Sequence, residues 1–169
     1  MTAMERIADA LGRIEHEVVA PADGTPCLRV ARAEVRPLME ALKSDGGFEV
    51  NIFVTAIDHE PATPRFEVVW EFLSVKHNDR VRVRTSSNDE YPSVPTIIDL
   101  WPGAAYFERE CYDMFGVQFE GHANMRRLLM PMAYEHHPLR KEFPHQGIEP
   151  DKLYRAWDKQ RRTQEGQPS

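Results

Sequence analysis

The stretch from Phe66 to Thr85 constrains the fold of this chain more than any other. Phe66, Val68, Trp70 and Phe72 alternate with Glu67, Val69 and Glu71; after a polar break, Val81, Val83 and Thr85 alternate with Arg80, Arg82 and Arg84. A side-chain period of two belongs to strands with a dry face and a wet one. Taking Asn78-Asp79 as a two-residue turn joins them into a hairpin that pairs Phe72 with Thr85 and Ser74 with Val83. Both apolar sets then lie on one face and the arginines on the other. A slip of one residue would turn one strand inside out. The chain therefore contains a sheet with an apolar face that something must cover.

The cover is legible as helices. Met4, Ile7, Ala8 and Leu11 recur at helical spacing in a segment that ends at Gly12. A second helix is expected from Ala33 to Lys43, with Pro37 in its early part and Gly46-Gly47 as its stop. A third starts near Pro102, runs to Phe115 and closes at Gly116, with Phe107, Cys111, Met114 and Phe115 on one face and Arg109 placed to pair with Asp113 at i,i+4. Thr96 caps a short helical stretch to Trp101, after a turn-like segment from Asn88 to Pro95. Cys27 to Ala31 and Phe48 to Ile57 supply further strands. Beyond Gly121 the periodicity fades and Pro131, Pro138, Pro144 and Pro150 punctuate the chain. A last helix is expected from Asp151 to Arg162, with Leu153, Tyr154 and Trp157 on one side. The fold class is α+β, a mixed or antiparallel sheet flanked by helices with an extended Pro-rich C-terminal arm. Residues 1–143 form the domain and 144–169 a partner-binding arm.

Charge and cysteine content narrow the function. The 169 residues carry a net charge of −6, which disfavours a nucleic-acid binder because phosphate recognition needs a broad basic face. Cys27 and Cys111 are too few and too far apart to hold an iron–sulfur cluster or a zinc site alone, and read as reduced thiols. The N-terminus lacks a secretory or transit pattern, and no apolar run approaches the roughly 20 residues a membrane span needs.

Three constellations could carry chemistry. Glu108, Glu110 and Asp113 surround Arg109, but Glu108 and Glu110 lie about 200° apart on a helix, and Arg109 should keep neighbouring carboxylates ionised. Ion pairing fits them better than acid–base work. His122, His136, His137 and His145 could ligate a metal, yet they lack a ligand spacing, and Arg126, Arg127, Arg140 and Lys141 would repel a cation. From Gly121 to His145, four Lys/Arg face two acids, Glu135 and Glu142. A basic, Pro-broken segment without periodicity suits an electrostatically matched protein partner. The residues themselves thus favour a binding or structural subunit; a metal-dependent hydrolase built on the histidines is the opposing class.

The same residues carry a family resemblance. Glu108-Arg109-Glu110-Cys111-Tyr112-Asp113-Met114-Phe115-Gly116 resembles the E-R-E-x-x-D-M-F-G signature of the 30 kDa subunit of respiratory complex I. Gly121-His122, Arg126-Arg127-Leu128-Leu129 and His137-Pro138-Leu139-Arg140-Lys141-Glu142-Phe143-Pro144 follow at the family's spacing. Ala123, Tyr134, His136 and Glu142 stand where the family usually has Pro, Trp, Gly and Asp. The resemblance implies a peripheral-arm scaffold of a proton-pumping NADH:quinone oxidoreductase on the cytoplasmic side of the bacterial inner membrane. It implies partners equivalent to subunits D and B, FMN and Fe-S clusters held by partner subunits, and no cofactor or catalytic residue here. Related subunits serve hydrogenases and ferredoxin-fed complexes. The family motif and interface residues it implies are Glu108, Arg109, Glu110, Asp113, Gly116, His122, Arg126, Arg127, His137, Pro138, Arg140, Lys141 and Trp157.

Overall fold

The computed structural model describes residues 2–20, 23–148 and 159–160. The expected C-terminal helix, Trp157 included, and most of the partner-binding arm lie outside the described residues. The elements run α1 (Ala3–Arg6), α2 (Ala8–Leu11), β1 (His16–Val19), β2 (Cys27–Val30), α3 (Arg32–Ser44), β3 (Val50–Asp58), β4 (Phe66–Ser74), β5 (Asp79–Ser87), β6 (Ser93–Pro95), α4 (Ala104–Phe115) and β7 (Gln118–Glu120). They form an α+β fold. Its main sheet has the order β1-β2-β5-β4-β3, antiparallel except where β2 lies parallel to β5.

The β4–β5 hairpin forms with a different register from the one expected. Phe72 pairs with Val81 and Ser74 with Asp79, so the turn takes in residues 75–78 and ends on Asn78 at φ 52°. Asparagine tolerates that left-handed conformation better than most side chains. The shift from the expected pairing is an even number of residues, so every side chain keeps its face. Val68, Trp70, Phe72, Val81 and Val83 accordingly join Leu38, Met39 and Leu42 of α3 and Cys111, Met114 and Phe115 of α4 in one core.

The expected first helix is broken at Ile7 (φ −105°, ψ 9°) into α1 and α2. Thr2 and Glu5 form a capping box on α1. The segment after Thr96 is a single turn, Leu100 and Trp101 both donating to the Ile97 carbonyl. Trp101 then sets its Nε1–H on Phe48 O at 3.0 Å and leans on Phe72, ring centroids 4.5 Å apart. Three short strands, β1, β6 and β7, were not anticipated. The latter two pair in parallel and bracket α4, which places both ends of that helix beside the loops that follow it.

Candidate functional site

The motif helix α4 points its charged residues in three directions. Glu108 is fully buried. Its carboxylate accepts from the Thr96 hydroxyl at 2.6 Å and the Ile97 N–H at 2.8 Å. Burial pushes its pKa up to about 7, against the opposing pull of those two bonds. This corrects the expectation that Arg109 would keep its neighbours ionised. Arg109 points elsewhere, donating to the Arg126 and Arg127 carbonyls at 3.1 and 3.0 Å. Glu110 is exposed.

The expected Arg109–Asp113 pair is also replaced. Asp113, fully buried, accepts from Arg127 Nη1 at 2.6 Å and from the backbone N–H groups of Leu128, Leu129 and Met130 at 2.7–3.0 Å. Burial opposes its ionisation, yet these donors overcome it and hold the carboxyl below the usual aspartate range. Three consecutive N–H groups aimed at one oxygen make a backbone nest for an anion. One side chain of α4 thereby fixes the path of residues 127–130.

The third block closes the helix. An α-helix leaves its last carbonyls without intrahelical donors, and α4 has no basic residue in its own last turn. Tyr112 O receives the Gly116 N–H at 2.8 Å. His137 Nδ1 lies 3.0 Å from Asp113 O, Leu139 N–H donates to Met114 O at 3.1 Å, and Arg140 Nε donates to Phe115 O at 2.7 Å. The carbonyl partner requires the Nδ1–H form of His137. Burial, and then the nearby Arg140 and Arg127 charges, lower its pKa despite the bond to Asp113 O, so it is neutral at pH 7. The Arg140 guanidinium lies between the Phe66 and Tyr91 rings, 5.1 and 4.7 Å from their centroids, and reaches Glu90 O at 2.7 Å. A cation here also complements the negative end of the helix dipole.

Residues 137–143 thus form a strap across the end of α4, and its far side is fastened to β3. Lys141 N–H donates to Asp58 Oδ2 at 2.9 Å, and its ammonium reaches Glu60 O at 3.0 Å. Asp58 is also held by Arg65 at 2.9 and 3.0 Å, and Arg65 meets Glu142. Burial opposes the charge on Asp58, but Arg65 and the N–H groups of Lys141 and Glu60 win and lower its pKa strongly. Sequence reasoning missed Asp58 and Arg65, and it read Thr96 as a cap without its bond to Glu108. Asp58 did leave a signal: it follows Val54 and Ala56 at the inward parity of β3, where an unpartnered carboxylate would be costly.

Among the basic residues anticipated at an interface, the structure places Arg127 and Arg140 inside the fold and leaves Arg126 and Lys141 outside. The four histidines are not brought together. His122 bonds locally to Ala105 O and Asn124 N, and His136 packs against Tyr134 and Phe143. Among the described residues, the acids close enough to share a metal are Asp58, Glu60 and Glu142, and Arg65 already sits among them.

Gly116 is where the strap comes closest. It caps α4 at φ 80°, and a Cβ there would lie 2.6 Å from Arg140 Nη2 and 2.8 Å from His137 Nε2. Gly116→Ala is expected to lower stability by about 2–3 kcal/mol, combining left-handed strain with overpacking. Urea unfolding measures it; an unchanged midpoint would show that the strap does not rest there.

Comparison with known proteins places this geometry. Residues 28–149 match the family described as the respiratory-chain NADH dehydrogenase 30 kDa subunit. The chain is 48% identical over 120 residues to a mitochondrial NADH dehydrogenase (ubiquinone) iron-sulfur protein 3 from Candida albicans, and covers 70% of itself and 43% of that protein. It is 40% identical over 151 residues to an NADH-quinone oxidoreductase subunit of a Jannaschia species, covering 86% and 72% respectively. It therefore spans less than half of the first relative and about seven-tenths of the second. A solved trypsin-resistant fragment of Nqo5 superposes with a TM-score of 0.65 at 29% identity, over 73% of this chain and 99% of the fragment. With most of its length matched and each motif block built into the strapped helix, the chain belongs to the family of the 30 kDa subunit of respiratory-chain NADH dehydrogenase.

Proposed function

We infer that the chain is a non-catalytic peripheral-arm subunit of a proton-translocating NADH:quinone oxidoreductase, scaffolding the quinone-site and cluster-bearing subunits. The observation that carries this reading is where the motif's hydrogen bonds go. Glu108, Asp113 and Arg140 direct theirs to this chain's own backbone and side chains. Groups so committed build a rigid surface and are not presented to a substrate. What the same segment leaves outward is apolar: Leu129, Met132 and Leu139 are 62%, 68% and 54% exposed. Exposed large apolar side chains along one segment suit contact with another protein.

On this reading the partners are chiefly the equivalents of subunits D and B, and residues 144–169 are an arm that orders on them. FMN and the iron–sulfur clusters belong to partner subunits, and electrons pass from NADH through those groups to quinone without crossing this chain. No helix of the described residues is long and apolar enough to cross a membrane. Attachment to the cytoplasmic face of the bacterial inner membrane then runs through partners.

Affinity purification of the tagged chain from native membranes tests this. The expected result is co-purification of flavin-bearing subunits with NADH:quinone activity, while the chain purified alone is colourless and does not oxidise NADH. Recovery with a hydrogenase or ferredoxin-fed assembly would reassign the electron donor, and NADH oxidation by the isolated chain would end the scaffold reading.

A further inference from the structure

Glu108 places a titratable group in the dry interior without an opposite charge beside it. Among the described residues its carboxylate is bonded by the Thr96 hydroxyl and the Ile97 N–H, and neither is a cation. Desolvation then penalises the ionised form more than two neutral donors repay. The charges on the surrounding elements do not compensate. Asp99, on the turn after β6, adds a negative charge that disfavours ionisation further. Arg36 of α3 is taken up by Asp99 at 2.8 and 2.6 Å, by Glu40 at 2.7 Å and by Thr96 O at 3.3 Å. On α4 itself, Arg109 serves the Arg126 and Arg127 carbonyls, Glu110 is exposed, and burial keeps the Cys111 thiol neutral. On β7, Glu120 is held by Arg32 and Ser93, and on β3, Asp58 is held by Arg65.

Both partners of the carboxyl belong to one turn. The Leu100 and Trp101 N–H groups close it on Ile97 O at 3.0 and 2.9 Å, and the Thr96 N–H ties it to Glu120 O at 3.0 Å. Ile97 and Trp101 are buried, whereas Ile98 and Leu100 are half-buried and Asp99 is exposed. The turn is therefore a thin cover, with Glu108 on its inner side and water on its outer side. Closed, it keeps the carboxyl dry; open, it lets water solvate the charge. The closed form keeps the proton to about pH 7, and a solvated carboxyl releases it near 4.5. Between those values the closed form binds the extra proton, so each unit of rising pH moves the balance about tenfold toward the open one.

We propose that Glu108 is a proton-operated latch: protonated, it holds residues 96–101 closed over α4, and on losing the proton it releases the turn so that water reaches the carboxylate. Opening costs less than unfolding the chain, because it disturbs one short segment and leaves the main sheet in place. The change is passed on to α3, since Arg36 is bonded to both Thr96 O and Asp99 of the same turn. The latch needs no partner and stands apart from the subunit reading.

Amide hydrogen exchange of the full chain, followed by NMR from pH 5 to 8 and corrected for the intrinsic rate, tests the latch. Protection of the Ile97, Leu100 and Trp101 amides should fall about tenfold per pH unit up to about pH 7 and level off above it. Amides of the central strands β4 and β5 should stay at least about tenfold better protected throughout. Glu108→Gln should remove the pH slope at the turn, and Glu110→Gln, exposed on the same helix, should keep it. Thr96→Val removes one of the two bonds that favour the charge, so the levelling-off should move to higher pH. Exchange at the turn no faster than in β4 and β5 would mean that water reaches the carboxyl only by global unfolding, and overturns the proposal. A flat pH profile at the turn, or a slope that survives in Glu108→Gln, overturns it as well. If that variant does not fold, the comparison of turn and strands in the parent decides alone.

Discussion

Asp113→Ala is expected to lower folding stability by about 3–5 kcal/mol, the range for removing one partner of a buried ion pair. The substitution strands the Arg127 guanidinium, whose side chain is 7% exposed. It also removes the acceptor for the N–H groups of Leu128, Leu129 and Met130. Each buried donor left without a partner costs about 1–3 kcal/mol, offset where water reaches the relaxed loop. Asp113→Ala combined with Arg127→Met should be less damaging than the sum of the two single changes, because the second removes the stranded charge. Urea denaturation of the four proteins closes the cycle. A loss below about 1 kcal/mol for Asp113→Ala would show that the nest contributes little to the fold.

Glu108→Gln should flatten the pH dependence of stability between pH 4.5 and about 7. The sign follows from the raised pKa. In the unfolded chain the carboxyl gives up its proton near 4.5, whereas in the folded chain it keeps it until about 7. Between those values the unfolded state binds fewer protons, so stability falls as pH rises. The fall amounts to roughly 3 kcal/mol for a shift of this size, and above pH 7 it is complete. Glutamine resembles the protonated acid and does not ionise. Relative to the parent, the variant should therefore gain about that amount between pH 4.5 and pH 8. The depressed carboxyls of Asp58, Asp79 and Asp113 act with the opposite sign below pH 4. His137, with its lowered pKa, withdraws stability as pH falls below 6.5. Subtracting parent from variant removes both contributions. Parallel pH curves for the two proteins would mean that Glu108 is ionised in the folded state.

Much of the fold was legible because it rests on periodicity. The alternation in β4 and β5 set both faces correctly even though the turn was misjudged, since a four-residue error in register returns each side chain to its own side. The helices α3 and α4 were legible from apolar spacing and their glycine stops. The three-residue strands β6 and β7 were not, because three residues cannot display a period. The motif residues were visible, but their directions were not. Helical spacing made Arg109 and Asp113 neighbours, and tertiary partners at Arg126 and Arg127 took both. Glu108 showed the limit most clearly. A carboxylate flanked by Arg109 reads as solvated, and only the fold reveals that it faces Thr96 and Ile97 in a dry interior.

The closure of α4 has a consequence for the order in which the chain assembles. The groups that satisfy its final carbonyls lie 24 and 25 residues downstream of the atoms they bind, so the helix can form from its own sequence but cannot finish. Until the strap arrives, the carbonyls of Asp113, Met114 and Phe115 have only water to bond, while the apolar core and the Glu108 carboxyl hold its earlier turns. Docking of the strap is expected to follow formation of the helix, and interactions formed after the rate-limiting barrier act on the unfolding rate and leave the folding rate nearly unchanged. Substitutions at His137, Leu139 and Arg140 are accordingly expected to speed unfolding more than they slow folding, as stopped-flow measurements of both rates would show.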